Sequence, residues 1–238
     1  MRYPVSFQRI LLAFVMFIGV LILIRSMYSQ NLNFLFLAWN LFLAWIPYAI
    51  STLFKRIVHE QKWKQAVIFF SWFIFFPNAL YLVTDLIHLD MESNIPKWFD
   101  AVLLFSTSVL GLLMAFISLF RVERYLVLLF ERKLAGKIVL LILFFGSFGV
   151  YLGRFLRWNS WDLIRNPVGL VTDMIDRFLF PLAYLHTWGI TLILSILFYL
   201  IYQSIKKLPS YLSREAMGYH VKDFIEATKN QVRVQDIK

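Results

Sequence analysis

Six apolar runs, each of about 15 to 25 residues and almost free of charge, constrain this chain more than anything else in it. They fall at roughly 10–24, 33–54, 66–87, 101–120, 138–155 and 180–205. A run of about 20 such residues is long enough to cross the hydrocarbon core of a bilayer as a helix, and a soluble domain of this size has no interior able to hide six of them. The sequence therefore predicts an all-α integral membrane protein with six transmembrane helices, occupying residues 1–205, and a tail from 206 to 238. Cysteine is absent, which excludes disulfides, thiolate ligands and cysteine nucleophiles.

Charge sets the expected orientation. The net charge of +10 would suggest nucleic acid in a soluble protein. Here Lys and Arg at loops orient the spans instead, and no nucleic-acid partner is expected. Before the tail, eleven basic residues lie on one side, in the N-terminal segment, the second loop and Arg121–Lys137. Six lie on the other: Arg25, Lys97, Arg154, Arg157, Arg165 and Arg177. Both termini are thus expected in the cytoplasm. The first run follows Arg2 and Arg9 and resembles a signal peptide, but no small-residue cleavage pattern follows, so it reads as an uncleaved span. Residues Arg121–Lys137 enclose the apolar stretch Tyr125–Phe130 and read as a helical extension or a surface-lying hairpin. The tail carries Met217, Val221, Phe224 and Ile225 on one face, with Ser213 as N-cap, and reads as a basic amphipathic helix on headgroups or on a cytoplasmic protein partner.

The third run ends differently from the others. From Phe76 to His88 it holds a proline, an amide, a phenol, a hydroxyl, a carboxylate and an imidazole. On a helical wheel Asn78, Tyr81, Asp85 and His88 share an arc of roughly 80°. Polar groups gathered on one side of a membrane helix face protein or water rather than lipid. Pro77 removes a backbone hydrogen bond, and Ser71 or Asn78 can satisfy the carbonyl it frees.

The fifth run supplies the counterpart. Gly146, Gly149 and Gly153 line one side of a helix, and Gly149 with Gly153 allows a neighbouring span to approach closely. If the helix continues, Tyr151, Arg154, Trp158, Trp161 and Asp162 lie on the other side. The simplest assembly docks the glycine face on a neighbouring span and turns Arg154 and Trp158 toward the acidic loop after the third run. Two roles follow for the arginines. Arg154 can pair with Asp85 and tie the third and fifth spans together. Alternatively Arg154 and Arg157, with Trp158, Asp162, Asn78 and Tyr81, can hold an anionic or lipid-linked ligand at headgroup depth. Asp85 and His88 are the candidates for acid–base chemistry. With His186 they are also candidate metal ligands, although the spacing matches no established zinc motif. No cofactor is assigned. Residues 166–179 read as a short surface helix beginning at Pro167 and able to lid the site. No Lys, Arg, Asp or Glu is expected deep within a span, which argues against proton-coupled transport, and the absence of a P-loop argues against ATP-driven activity.

Three motifs carry a resemblance. Phe76-Pro77-Asn78-Ala79-x-Tyr81-Leu82-x-Thr84-Asp85-Leu86-x-His88-Leu89, Trp98-Phe99-Asp100 and Gly149-x-Tyr151-Leu152-Gly153-Arg154-Phe155-x-Arg157-x-Asn159-Ser160-Trp161-Asp162 resemble the signatures of an uncharacterised bacterial multi-spanning membrane-protein family, domain of unknown function 1361. Leu80 stands where many members are expected to carry a second proline. The resemblance covers about residues 30–205. It implies a multi-pass protein of the bacterial cytoplasmic membrane and implies no activity. Two functions then compete. One is a substrate-binding or scaffold component that works with membrane or cytoplasmic partners. The other is a membrane-embedded hydrolase or transferase, with or without a metal, acting on lipid or cell-envelope precursors.

Overall fold

A computed structural model describes the backbone of residues 5–30, 32, 34–90 and 95–235, and the side chains of 7–30, 32, 34–89 and 95–215. Among the described residues there is no strand. Eight α-helices follow in order: α1 (Val5–Ser29), α2 (Leu35–Ser51), α3 (Lys62–Tyr81), α4 (Lys97–Leu129), α5 (Arg132–Phe155), the single turn α6 (Asp162–Arg165), α7 (Pro167–Leu179) and α8 (Leu185–Gln235). Short 3₁₀ segments follow α2 (Thr52–Lys55 and Ile57–His59), and a longer one, Leu82–Asp90, follows α3. Six helical stretches are long and apolar enough to cross a membrane: Phe7–Ser29, Leu35–Lys55, Lys62–Leu89, Lys97–Leu129, Arg132–Phe155 and Leu185–Glu215. These are the six predicted spans, so the protein is a polytopic helical membrane protein.

The chain divides into two compact units, Met1–Ser195 and Ile196–Lys238. Within the first, α3 packs on α2 and α5, α4 packs on α1, α2 and α3, and the 3₁₀ segment Leu82–Asp90 lies against α4. Trp72, Phe76 and Leu80 of α3 are fully buried, as are Leu103, Leu110 and Leu119 of α4. Exposed apolar side chains such as Met16 and Leu23 on α1, or Leu140 and Leu141 on α5, occupy the opposite faces. That distribution suits helices whose outer solvent is hydrocarbon. In the second unit, the Lys206 ammonium lies 5.8 Å from the centre of the Tyr202 ring.

Several expectations are met in detail. The segment after residue 120 is a helical extension: α4 runs on to Leu129, and α5 begins at Arg132 after a break at Phe130 and Glu131. The glycine row of α5 does dock on α3. A Cβ on Gly149 would lie 2.7 Å from Pro77 Cγ, one on Gly146 3.2 Å from Phe76 and Leu80, and one on Gly153 3.4 Å from the Tyr81 ring. Proline and glycine face one another, so the span that lacks a backbone donor is also the span approached most closely.

Others are corrected. The third span does not remain α-helical to His88 but tightens to a 3₁₀ helix at Leu82. The Ser108 hydroxyl of α4 donates to the Leu82 carbonyl at 2.8 Å, and Thr84 Oγ1 donates to the Tyr81 carbonyl at 2.6 Å. These hydroxyls take up acceptors at the junction. With three residues per turn, Leu82, Asp85 and His88 fall in one row. Asn78 donates to the carbonyl of Phe75, at 3.1 Å, not to that of Phe73. The first span does not end before Arg25: α1 continues to Ser29, and Arg25 is buried inside it. Ser213 is not an N-cap, because α8 passes through Pro209 without a break and places Ser213 within a helix. The side chains of Met217, Val221, Phe224 and Ile225 lie outside those described.

Candidate functional site

The 3₁₀ turn presents Asp85 and His88 three residues apart toward the last turn of α5, from which Arg154 reaches across. Arg154 Nη2 donates to Asp85 Oδ1 in a close ion pair. Its Nε donates to Thr84 Oγ1 at 2.9 Å, and its Nη1 lies 2.9 Å from His88 Nε2. Guanidinium nitrogens only donate, so His88 Nε2 is the acceptor and the imidazole proton sits on Nδ1. The plane of the guanidinium lies over the Tyr81 ring, 4.1 Å from its centre. Asp85 is completely buried, and its second oxygen accepts from Asn40 Nδ2 of α2 at 3.0 Å. Three spans therefore meet on one carboxylate. A pair this deep holds only because its hydrogen-bonding positions are filled; removing one partner leaves a buried charge uncompensated.

Arg25 and Asp100 form a second clasp of the same kind. Arg25 Nε and Nη2 donate to the two carboxylate oxygens at 2.7 and 2.9 Å, and Phe34 lies 3.3 Å beneath the guanidinium carbon. Both residues are almost fully buried. This fork ties α1 to the first turn of α4. It corrects the reading of Arg25 as a loop charge: Arg25 lies within α1, near its C-terminal end. The signal available was topological: a six-span count puts Arg25 and Asp100 at the same end of the molecule.

At the other end of these spans, Arg121 Nη1 donates to Ser51 Oγ at 2.9 Å and to the Tyr48 carbonyl at 3.2 Å, while Tyr125 donates to Gln65 Oε1 at 2.8 Å. These contacts bind α4 to α2 and α3 without a carboxylate.

Beside the Asp85 clasp lies a cleft of ≈ 300 Å³ bounded by α2, α3 and α5 and roofed by residues 158–163 and α7. Its walls are mainly apolar and aromatic, among them Trp39, Phe73, Phe148 and Met174. Its polar lining consists of Asn40, Asn78, Tyr81, Asn159 and Ser160, together with the Trp158 indole. Asn40 and Tyr81 belong to both structures: each lines the cleft and each contacts the Asp85–Arg154 pair. Asn78 Nδ2 donates to Ser160 Oγ at 2.9 Å, joining floor to roof. Trp158 Nε1 donates to Asp173 Oδ2 at 2.8 Å and fixes α7 over the cleft. Trp158, Leu170, Met174 and Trp188 pack on the buried group Phe148, Tyr151 and Leu152.

The structure brings Asp85, His88 and Arg154 together and sets Asn78, Tyr81 and Trp158 around the neighbouring cleft. Arg157, Asp162 and His186 take other positions. Helix α5 stops at Phe155, so the expected continuous face from Tyr151 to Asp162 does not form. The turn closes with the Trp158 amide on the Leu152 carbonyl at 3.1 Å, and Arg157 adopts a left-handed φ of 61°. Arg157 is exposed and makes no ion pair among the described residues. Asp162 Oδ2 accepts from the Asn159 backbone N–H at 2.7 Å. His186 sets its ring edge-on to Phe155 and Tyr151, at 5.4 and 6.1 Å. Among the described residues no group of three or more His, Asp or Glu is placed to hold a metal ion. The sequence assigns no part in the site to Asn40, and none to Thr84 or Ser160 beyond their places in the motifs. Asn40 carried a signal, as the one amide well inside an otherwise apolar second run.

Fold and site together define a polytopic helical membrane protein with a paired polar core and a roofed cleft at one end of its spans. The chain belongs to the family described as "Protein of unknown function (DUF1361)", whose model matches residues 39–201. That region contains the cleft and the Asp85–Arg154 clasp but begins beyond Arg25. No curated protein and no solved structure matches the chain.

Proposed function

We propose that this protein is a substrate-binding component of the bacterial cytoplasmic membrane that takes a lipid-linked amphiphile into the cleft beneath α7. The cleft carries this reading. Its rim residues Trp39, Ile74 and Phe145 belong to the exposed apolar faces of α2, α3 and α5. A ligand therefore enters from among acyl chains, while the amides and hydroxyls receive its polar end. Sites of this size, mostly apolar with a few convergent polar groups, are the usual form of small-molecule pockets. The excess of basic residues at the Arg121 end supports cytoplasmic termini and, with them, a cleft toward the outer leaflet. The tail then rests on cytoplasmic headgroups or on a partner there.

Asp85, His88 and Arg154 serve this site as positioning residues. The Asp85 carboxylate is sealed and both its oxygens are engaged, an arrangement that favours holding α2, the 3₁₀ turn and α5 in register over acid–base work. Arg154 is neutralised by Asp85, which favours a lipid-linked ligand over one chosen for its charge.

Native mass spectrometry of the protein released from nanodiscs made with envelope lipid extract tests the reading. A retained amphiphile is expected on wild type and on Leu163→Ala. Leu163→Trp, which fills the cleft from an exposed position of its roof, is expected to lose it. Identical lipid retention by the tryptophan variant contradicts the proposal.

A further inference from the structure

The hydrogen-bonding inventory of the cleft narrows the ligand class. Asn40, Asn78 and Asn159 line it. Each donates its amide N–H to a group that can only accept: the Asp85 carboxylate, the Phe75 carbonyl and the Arg157 carbonyl respectively. The orientation of all three amides is thereby fixed, and the oxygen is the end left over. None of these three oxygens accepts a hydrogen bond among the described residues. The Tyr81 hydroxyl likewise makes none, and Ser160 Oγ accepts from Asn78 while its own proton is unassigned to any partner. The lining residues thus carry three amide oxygens with no donor among the described residues and two hydroxyls able to donate or accept. A ligand bearing carbonyl groups alone leaves the amide oxygens unmet, whereas a polyol satisfies them.

Charge and shape point the same way. No Lys, Arg, Asp or Glu is among the lining residues. Arg154 already carries Asp85, Thr84 and His88, and Arg157 is exposed and outside the lining. An anion held against these walls would be desolvated with no charged side chain among the lining residues, an unfavourable exchange. Around the polar groups stand the aromatic surfaces of Trp39, Trp158 and Tyr81, and Trp161 extends them, its ring 6.1 Å from that of Trp39. Flat aromatic faces pack against the C–H faces of a sugar ring while its hydroxyls reach the surrounding amides.

We infer that the cleft recognises an uncharged polyhydroxyl headgroup, that is, the sugar end of a membrane glycolipid or lipid-linked saccharide. This rests on the cleft being an amphiphile site and adds the headgroup class.

Saturation-transfer NMR separates the two. The full-length protein in lipid nanodiscs is titrated with n-octyl glucoside below its micellar concentration, and with n-octyl phosphate of the same chain length. Saturable transfer to the sugar-ring protons is expected, with an affinity at least about tenfold above that of the phosphate. Asn159→Ala and Trp39→Leu are expected to reduce the transfer with little change in melting temperature. Equal or tighter binding of octyl phosphate, displacing the glucoside, overturns the sugar headgroup and leaves the amphiphile cleft standing. Saturable binding of neither overturns both. Transfer unchanged in both variants places the glucoside elsewhere on the protein and overturns the inference.

Discussion

Asp85 and Arg154, 69 residues apart in sequence, form an ion pair in which the carboxylate is wholly enclosed. The pair joins the end of the third span to the end of the fifth, and Asn40 brings in the second. Its energetic weight lies in what happens when it is broken. Asp85→Asn leaves Arg154 without its counter-charge, with an expected loss of about 3–5 kcal/mol. Thermal unfolding in detergent reads this directly: the variant should melt well below wild type. Equal melting temperatures would rule out the clasp as a stabilising element and return Asp85 to the list of catalytic candidates.

The second clasp gives a sharper version of the same experiment. Arg25→Met and Asp100→Leu should each be strongly destabilising, because each strands a buried charge. The double variant should recover most of the loss, since two apolar side chains of similar volume need no partner. A double-mutant cycle on melting temperature measures the coupling. Strictly additive losses would show that the fork is not a unit.

Helix contact at the glycine row predicts steric sensitivity without any change of polarity. A Cβ at Gly149 meets Pro77 at 2.7 Å, and one at Gly111 meets Leu82 Cδ1 at 2.7 Å and the Ala79 carbonyl oxygen at 2.9 Å. Gly149→Ala and Gly111→Ala should each cost about 1–3 kcal/mol through overpacking. Gly136→Ala, where a Cβ meets nothing within 4 Å, should be tolerated. Comparison of the three variants by thermal unfolding checks the ordering.

The native chain contains no cysteine, so topology can be mapped on a clean background. Asn159→Cys should react in intact cells with a membrane-impermeant maleimide. Lys133→Cys, in the first turn of α5 at the Arg121 end, should react only after permeabilisation. The reverse pattern would invert the orientation and place the cleft toward the cytoplasm.

The spans are legible because hydropathy at the scale of 20 residues is a strong signal; where each helix ends is less so. Arg25 looked like a loop charge because a positive residue ordinarily terminates an apolar run. It lies inside α1 because Asp100, 75 residues later, neutralises it, and no local pattern carries that information. The glycine row was readable from its spacing, and its docking on Pro77 follows from both helices needing close approach. The cleft was only half readable. Asn78, Tyr81 and Trp158 were recognisable as polar or interfacial groups in apolar surroundings. Their separation from Arg157 and Asp162 depends on α5 stopping at Phe155 with Arg157 in a left-handed conformation, which an arginine codon does not announce. Asn40 became a site residue only once α2 was seen to pass Asp85.

The central claim is that the cleft beneath α7, rather than the general lipid-facing surface, receives an amphiphile. Photolabelling with an alkyl glycoside carrying a diazirine on its chain tests it most directly, with the protein in nanodiscs and the labelled peptides mapped by mass spectrometry. Labels should concentrate on peptides spanning residues 73–81, 145–153 and 158–174, and excess unlabelled glycoside should suppress them. Labels spread over the exposed apolar faces of α1 and α8, and undiminished by the competitor, would contradict the account.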